Sequence, residues 1–200
     1  MDVRAKLTSA VRVVLVVAAA SLAAGCGDFI RQDRAPVTLV IASLLGVSVG
    51  GDEAATLRSD VRTDGSILND MGTVTMQMIL KDPGVPGVAN VPSPINEVTI
   101  SRYRVSFRRS DGRNTPGVDV PQPFESAATF RVPASGSVSA SFELIRHTAK
   151  LEAPLAGLAG SLVIISTIAD ITFTGRDQAG NQVSVTGSMG VLFGDFADPD

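Results

Sequence analysis

Apolar positions along this 200-residue chain fall into three regimes. The first is an uncharged, mostly apolar run from Val13 to Leu22, preceded by Arg4, Lys6 and Arg12 and followed by small residues. The second is Val37 to Leu45, where Val37, Val40, Ile41, Leu44 and Leu45 recur at i, i+3, i+4, i+7 and i+8. That spacing lines one face of a helix, Pro36 suits its first turn and Gly50-Gly51 would stop it. A short helix over 37–50, packed on the domain that follows, is therefore expected. The many β-branched residues in it make a strand the rival reading.

From Leu57 onward, alternation with period two takes over, the mark of half-buried strands. Leu57, Ser59 and Val61 predict an edge strand ahead of the turn Thr63-Asp64-Gly65-Ser66, and Val74, Met76, Met78 and Leu80 a strand over 72–80. Between 97 and 109 the phase changes: Val98 and Ile100 hold one parity, Tyr103, Val105 and Phe107 the other. A one-residue slip would turn the second set to solvent, so a β-bulge is expected at Ser101-Arg102. Ala128, Phe130 and Val132, then Val138, Ala140, Phe142 and Leu144, predict two strands joined as a hairpin across Ala134-Ser135-Gly136-Ser137. Leu162 to Phe173 reads as a central strand buried at first on both faces. Val183, Val185, Gly187, Met189, Val191 and Phe193 give the last strand. The proline-rich stretch 81–94 and residues 110–123 read as surface loops, and Leu151, Leu155 and Leu158 as a cover for one open end of the core.

Six strands and a seventh at 57–63, separated by turn signals, indicate an all-β chain built as an antiparallel β-sandwich over residues 51–200. The turn Asp177-Gln178-Ala179-Gly180-Asn181 resembles the Asp-x-Ala-Gly-Asn turn of many bacterial immunoglobulin-like modules. That likeness covers the last two strands only. It implies an immunoglobulin-like sandwich and says little about activity, since this architecture serves many functions.

The N-terminal regime has another meaning. A basic segment, an apolar run too short to span a bilayer, and small residues make a secretory signal. The segment Leu22-Ala23-Ala24-Gly25-Cys26 resembles the lipobox of bacterial lipoproteins, with Ala23 where leucine is more usual. The resemblance implies cleavage after residue 25, a diacylglycerol on the Cys26 sulfur and acylation of the new amino terminus. An ordinary secretory signal with an incidental cysteine is the alternative. Cys26 is the only cysteine of the chain, and an unpaired thiol in an oxidising compartment is a liability. Residues 26–36 then form a lipidated tether. Gly27, not aspartate, follows the cysteine, which by enteric-type sorting leans toward the outer membrane.

Removing residues 1–25 takes away three basic side chains and one acidic, leaving a net charge of −5. Such a balance argues against nucleic acid and offers no general attraction to anionic lipid. His147 is the only histidine, it stands in no nucleophile elbow, and one histidine beside an acylated cysteine does not make a zinc site. Asp60, Asp64, Asn69 and Asp70, and Asp177 with Asn181, supply oxygens of the kind calcium takes, yet match no calcium-loop spacing and suit ordinary turns. No cofactor or metal is expected, and no enzymatic activity. The most suggestive feature is Arg102, Arg104 and Arg108, which share a parity after the bulge, with Arg109 and Arg113 nearby. They would form a basic stripe opposite the core, able to receive a carboxylate, a phosphate head group or an acidic partner surface, or simply to pair with carboxylates across strands. The C-terminal Asp195, Asp198 and Asp200 are among the candidate counter-charges. These features suggest a lipid-anchored, non-enzymatic envelope protein that binds or scaffolds another protein. The alternative is a module for an anionic small molecule, lipid head group or glycan, although the chain has no Trp and one Tyr for stacking on sugars.

Overall fold

The computed structural model describes residues 34–48 and 50–196; the export segment, Cys26, most of the tether, Asp198 and Asp200 lie outside them. Eleven strands follow in order: β1 (Val37–Val47), β2 (Glu53–Ala54), β3 (Thr56–Asp60), β4 (Asp70–Leu80), β5 (Gly84–Val85), β6 (Val88–Ala89), β7 (Val98–Arg108), β8 (Phe124–Val132), β9 (Ser137–Ile145), β10 (Ile165–Asp177) and β11 (Gln182–Gly194). One sheet has the order β2-β1-β4-β9 and a second the order β3-β11-β10-β7-β8, while β5 and β6 make a small hairpin of their own. Pairing is antiparallel throughout except for β3, which runs parallel to β11. The described residues are predominantly β, as the alternation predicts.

The inward parity of each strand explains how the two sheets hold together. Val74 and Met76 of β4, Phe142 and Leu144 of β9, Tyr103 and Val105 of β7, Ile171 and Phe173 of β10, and Val191 and Phe193 of β11 belong to one buried cluster. Phe173 meets Phe142 edge-on with ring centroids 5.3 Å apart, and Tyr103 meets Phe142 at the same separation. Such edge-to-face pairs add to the gain from burial. The Tyr103 hydroxyl donates to the Glu143 carbonyl at 2.9 Å, so a side chain of β7 is tied to the backbone of β9 in the facing sheet. Burial raises the Tyr103 pKa above its ordinary value.

The bulge in β7 lies where the phase change puts it. Register with β10 passes from Arg102 opposite Thr174 directly to Ile100 opposite Gly175, leaving Ser101 as the extra residue. Opposite it stands Gly175, where a Cβ would lie 2.3 Å from the Thr99 carbonyl oxygen, so only glycine admits this approach. At the turn before β4, Asp64 and Gly65 both have positive φ, and Thr63 and Ser66 exchange two backbone hydrogen bonds.

Three expectations are corrected. The helix over 37–50 is instead strand β1, paired with β4 along its length. A bulge between Ile41 and Ser43 breaks its alternation, so the inward set Val37, Leu39, Ile41, Leu44 mimics helical spacing while the β-branched residues favour a strand. The strands at 128–132 and 138–144 exist as β8 and β9 but are not a hairpin: β8 pairs with β7 and β9 with β4, so the turn between them crosses from one sheet to the other. Finally, Leu162, Val163 and Ile164 are exposed, because pairing with β11 begins only at Ile165; β10 then buries alternate residues rather than both faces.

Candidate functional site

The arginine stripe lies on the outer face of the five-stranded sheet. There Arg102, Arg104 and Arg108 alternate with the buried Tyr103, Val105 and Phe107. Neighbouring strands add hydroxyls, with Thr174 opposite Arg102, Thr172 opposite Arg104 and Ser184 and Thr186 beyond them on β11. The Thr172 and Thr186 hydroxyls are 2.8 Å apart and hydrogen-bonded to each other. The three arginines do not share one fate. Arg104 pairs with Glu125 of β8 at 3.2 Å, and Arg108 with Asp170 of β10 at 2.8 Å. Asp170 also accepts from the Ser188 hydroxyl at 2.5 Å. Arg131 of β8 likewise has Glu97 at 3.2 Å. These exposed cross-strand pairs contribute little to stability and leave small net charge on the face.

Arg102 has no carboxylate partner among the described residues. It lines a shallow hollow of about 160 Å³ with Ser101, Thr174, Gly175, Arg176 and Gln182. The bulge makes this hollow: the extra residue re-aims the strand, so Ser101 and Arg102 are both exposed in succession. Arg176, two residues past Thr174 on β10, sits diagonal to Arg102, within reach of two long side chains. Its guanidinium donates to the Gly180 carbonyl at 3.3 Å. Two guanidinium groups, two hydroxyls and an amide thus surround a space whose lining contains no carboxylate. Arg176 belongs to this site although it stands directly before the turn Asp177–Asn181 and has no place in the arginine stripe.

Arg109 and Arg113 are gathered by one group: Asp111 meets Arg109 at 2.6 Å and Arg113 at 3.0 Å. The hydrogen bonds from Arg109 first, then those from Arg113, lower the Asp111 pKa to about 2. They form a self-contained loop cluster at the far end of β7.

The acidic turn residues are dispersed. Asp70 is buried and pairs with Lys150 at 3.0 Å, both side chains almost wholly removed from solvent. The Ser59 hydroxyl donates to Asp70 at 2.6 Å, and Lys150 also donates to the Asp60 carbonyl at 2.7 Å. Burial raises the Asp70 pKa above its ordinary value, although Lys150 and Ser59 act in the opposite direction. This network ties β3 of one sheet, β4 of the other and the helical turn His147–Lys150, and nothing in the sequence marked Lys150 for it. Asp60 accepts the backbone N–H groups of Arg62 and Phe196 at 3.2 Å. Asn69 accepts from the His147 backbone at 2.6 Å and lies 2.9 Å from the His147 Nδ1 atom. Asp177 accepts from the Asn181 backbone and amide, each at 2.8 Å, closing its own turn. Asp195 accepts from the Gly160 backbone. Among the described residues no group of three or more His, Cys, Asp or Glu side chains is placed to hold a metal ion.

No family model matches this chain, and a search of curated proteins finds no match for it.

Proposed function

We propose that this chain is a bacterial lipoprotein, held on the outer side of an envelope membrane through Cys26, whose sandwich is immunoglobulin-like and binds a partner protein without catalysis. The observation that carries the reading is the single cysteine of 200 residues, set directly after a basic segment, an uncharged run and small residues. Two or three acyl chains at that point give firm attachment, each buried methylene adding about 0.8 kcal/mol. Gly27 favours the outer membrane. The flat outer face of the five-stranded sheet, rich in arginine and hydroxyl groups, supports a binding role. His147 is held by Asn69, and Asp70 is buried against Lys150, which gives both groups a structural use.

Two measurements on one expression system test this. Metabolic labelling with an alkynyl fatty acid marks the wild-type chain and fails on Cys26→Ser, and labelling of the variant would refute the anchor. Crosslinking in intact envelopes recovers a partner with the wild type and less of it with Arg104→Glu/Arg108→Glu. Equal recovery would refute this face as the binding surface. A second reading, a module for an anionic ligand, is favoured by one specific observation: the Arg102 and Arg176 hollow without a carboxylate.

A further inference from the structure

The hollow at the β7 bulge lies at a particular end of the molecule. Strand β1 lies across β11, with Ile41 and Leu44 against Gly187 and Gly46 against Met189. Advancing along β1 therefore advances along β11, so the start of β1 lies toward the start of β11. Gln182, the first residue of β11, is opposite Arg176 and lines the hollow. The chain thus enters the domain at the end where the hollow opens. Ten residues, 27–36, separate Cys26 from Val37 and span at most about 35 Å when fully extended.

We propose that Arg102 and Arg176 form a binding site for a phosphate group, with Thr174 and Gln182 as further donors, and that the site faces the membrane to which the chain is anchored. Two like charges on adjacent strands with no carboxylate between them repel until an anion bridges them. Guanidinium forks match phosphate oxygens in geometry and charge. The volume, about 160 Å³, accommodates a phosphate with its ester link. Net charge does not supply this attraction, since the chain without residues 1–25 carries −5; the local pair does. The membrane-facing part rests on the proposed acylation of Cys26, whereas the phosphate chemistry stands on the hollow alone.

The test uses the full 200-residue chain, made without acylation and followed through the amide resonances of Thr174 and Gln182. Inorganic phosphate shifts both saturably. Arg102→Gln/Arg176→Gln weakens that binding at least about tenfold, as expected for the loss of charge-assisted hydrogen bonds, while Arg104→Gln changes it less than about twofold. A second arm adds bicelles containing phosphatidylglycerol or only phosphatidylcholine. Shifts of the same resonances by the phosphatidylglycerol bicelles identify a lipid head group as the source. A response to inorganic phosphate alone overturns the membrane-facing part and assigns a soluble ligand. No saturable shift, or a shift that survives Arg102→Gln/Arg176→Gln, overturns the site. The outcome is separable from the partner reading: a phosphate response without recovery of a crosslinked partner refutes the protein-binding face and leaves the hollow standing. Recovery of a partner with no phosphate response does the reverse.

Discussion

The two ends of β11 treat charge in opposite ways. Near Phe193, opposite Ser59, lies the network of Lys150, Asp70 and Ser59, buried and paired. Near Gln182, the hollow of Arg102 and Arg176 is open and holds no carboxylate. A buried charge without its partner costs several kcal/mol, so the first end must be matched for the chain to fold. An exposed guanidinium costs little, so the second end is free to keep its charge for something else. Matched and buried charge belongs to architecture here, and unmatched exposed charge is what the proposed phosphate site would use.

Breaking the closed end has the largest expected effect. Lys150→Met leaves the Asp70 carboxylate buried without a counter-charge and lowers unfolding free energy by about 3–5 kcal/mol, measured by denaturant titration. Lys150→Met/Asp70→Leu recovers most of that loss, because the carboxylate is gone as well. The pH dependence follows from the raised pKa of Asp70. The folded chain keeps a proton that the unfolded chain releases near 3.8, so this group's contribution to stability falls as pH rises from 3.8 through the folded value. In Lys150→Met the fall extends to higher pH, since the group that lowers the pKa is absent. Unfolding curves between pH 4 and 7 check both statements.

Second in size is the bulge that shapes the open end. Gly175→Val places a Cβ against the Thr99 carbonyl and the Ile100 Cα, which forces β7 and β10 apart. A cost of about 1–3 kcal/mol is expected, as for other overpacked sites, together with loss of the phosphate response. A normal response in a stable Gly175→Val chain would show that the bulge does not build the hollow.

How far these two ends can be read from the sequence follows from the range of the interactions. The bulge at Ser101 was legible because a phase change within one strand is a local signal. The bulge in β1 produced the opposite result: Ile41 and Leu44 stand three apart on one face of a strand, and that spacing imitates a helix. Whether β8 and β9 form a hairpin is decided by which sheet each strand joins, and the turn residues between them carry no record of that. Lys150 and Asp70 are eighty positions apart, and only the packing of two sheets brings them together. Arg176 was hidden differently, in a connection whose glycine and asparagine announce a turn. The stripe of Arg102, Arg104 and Arg108 was visible in parity, but its division into paired and unpaired members depends on Glu125 and Asp170 from other strands.

Smaller effects sharpen the contrast. Arg108→Ala removes an exposed pair with Asp170 and lowers stability by at most about 1 kcal/mol, less at high salt. A larger loss would mean that the middle of the face is architectural as well. Asp111 should titrate at about 2 in the wild type and return toward its ordinary range in Arg109→Ala, read by carboxyl resonances. The sign is that of a depressed carboxylate: its contribution is present above 3.8 and is lost as pH falls toward 2.

The central claim is that the open end keeps its charge for an anion. Thermal unfolding with and without millimolar inorganic phosphate at constant ionic strength tests it most directly, because a ligand of the folded state raises its stability by mass action. The account predicts a higher midpoint for the wild type and for Arg108→Ala, and no change for Arg102→Gln/Arg176→Gln. An equal rise in all three chains, or none in the wild type, would contradict it.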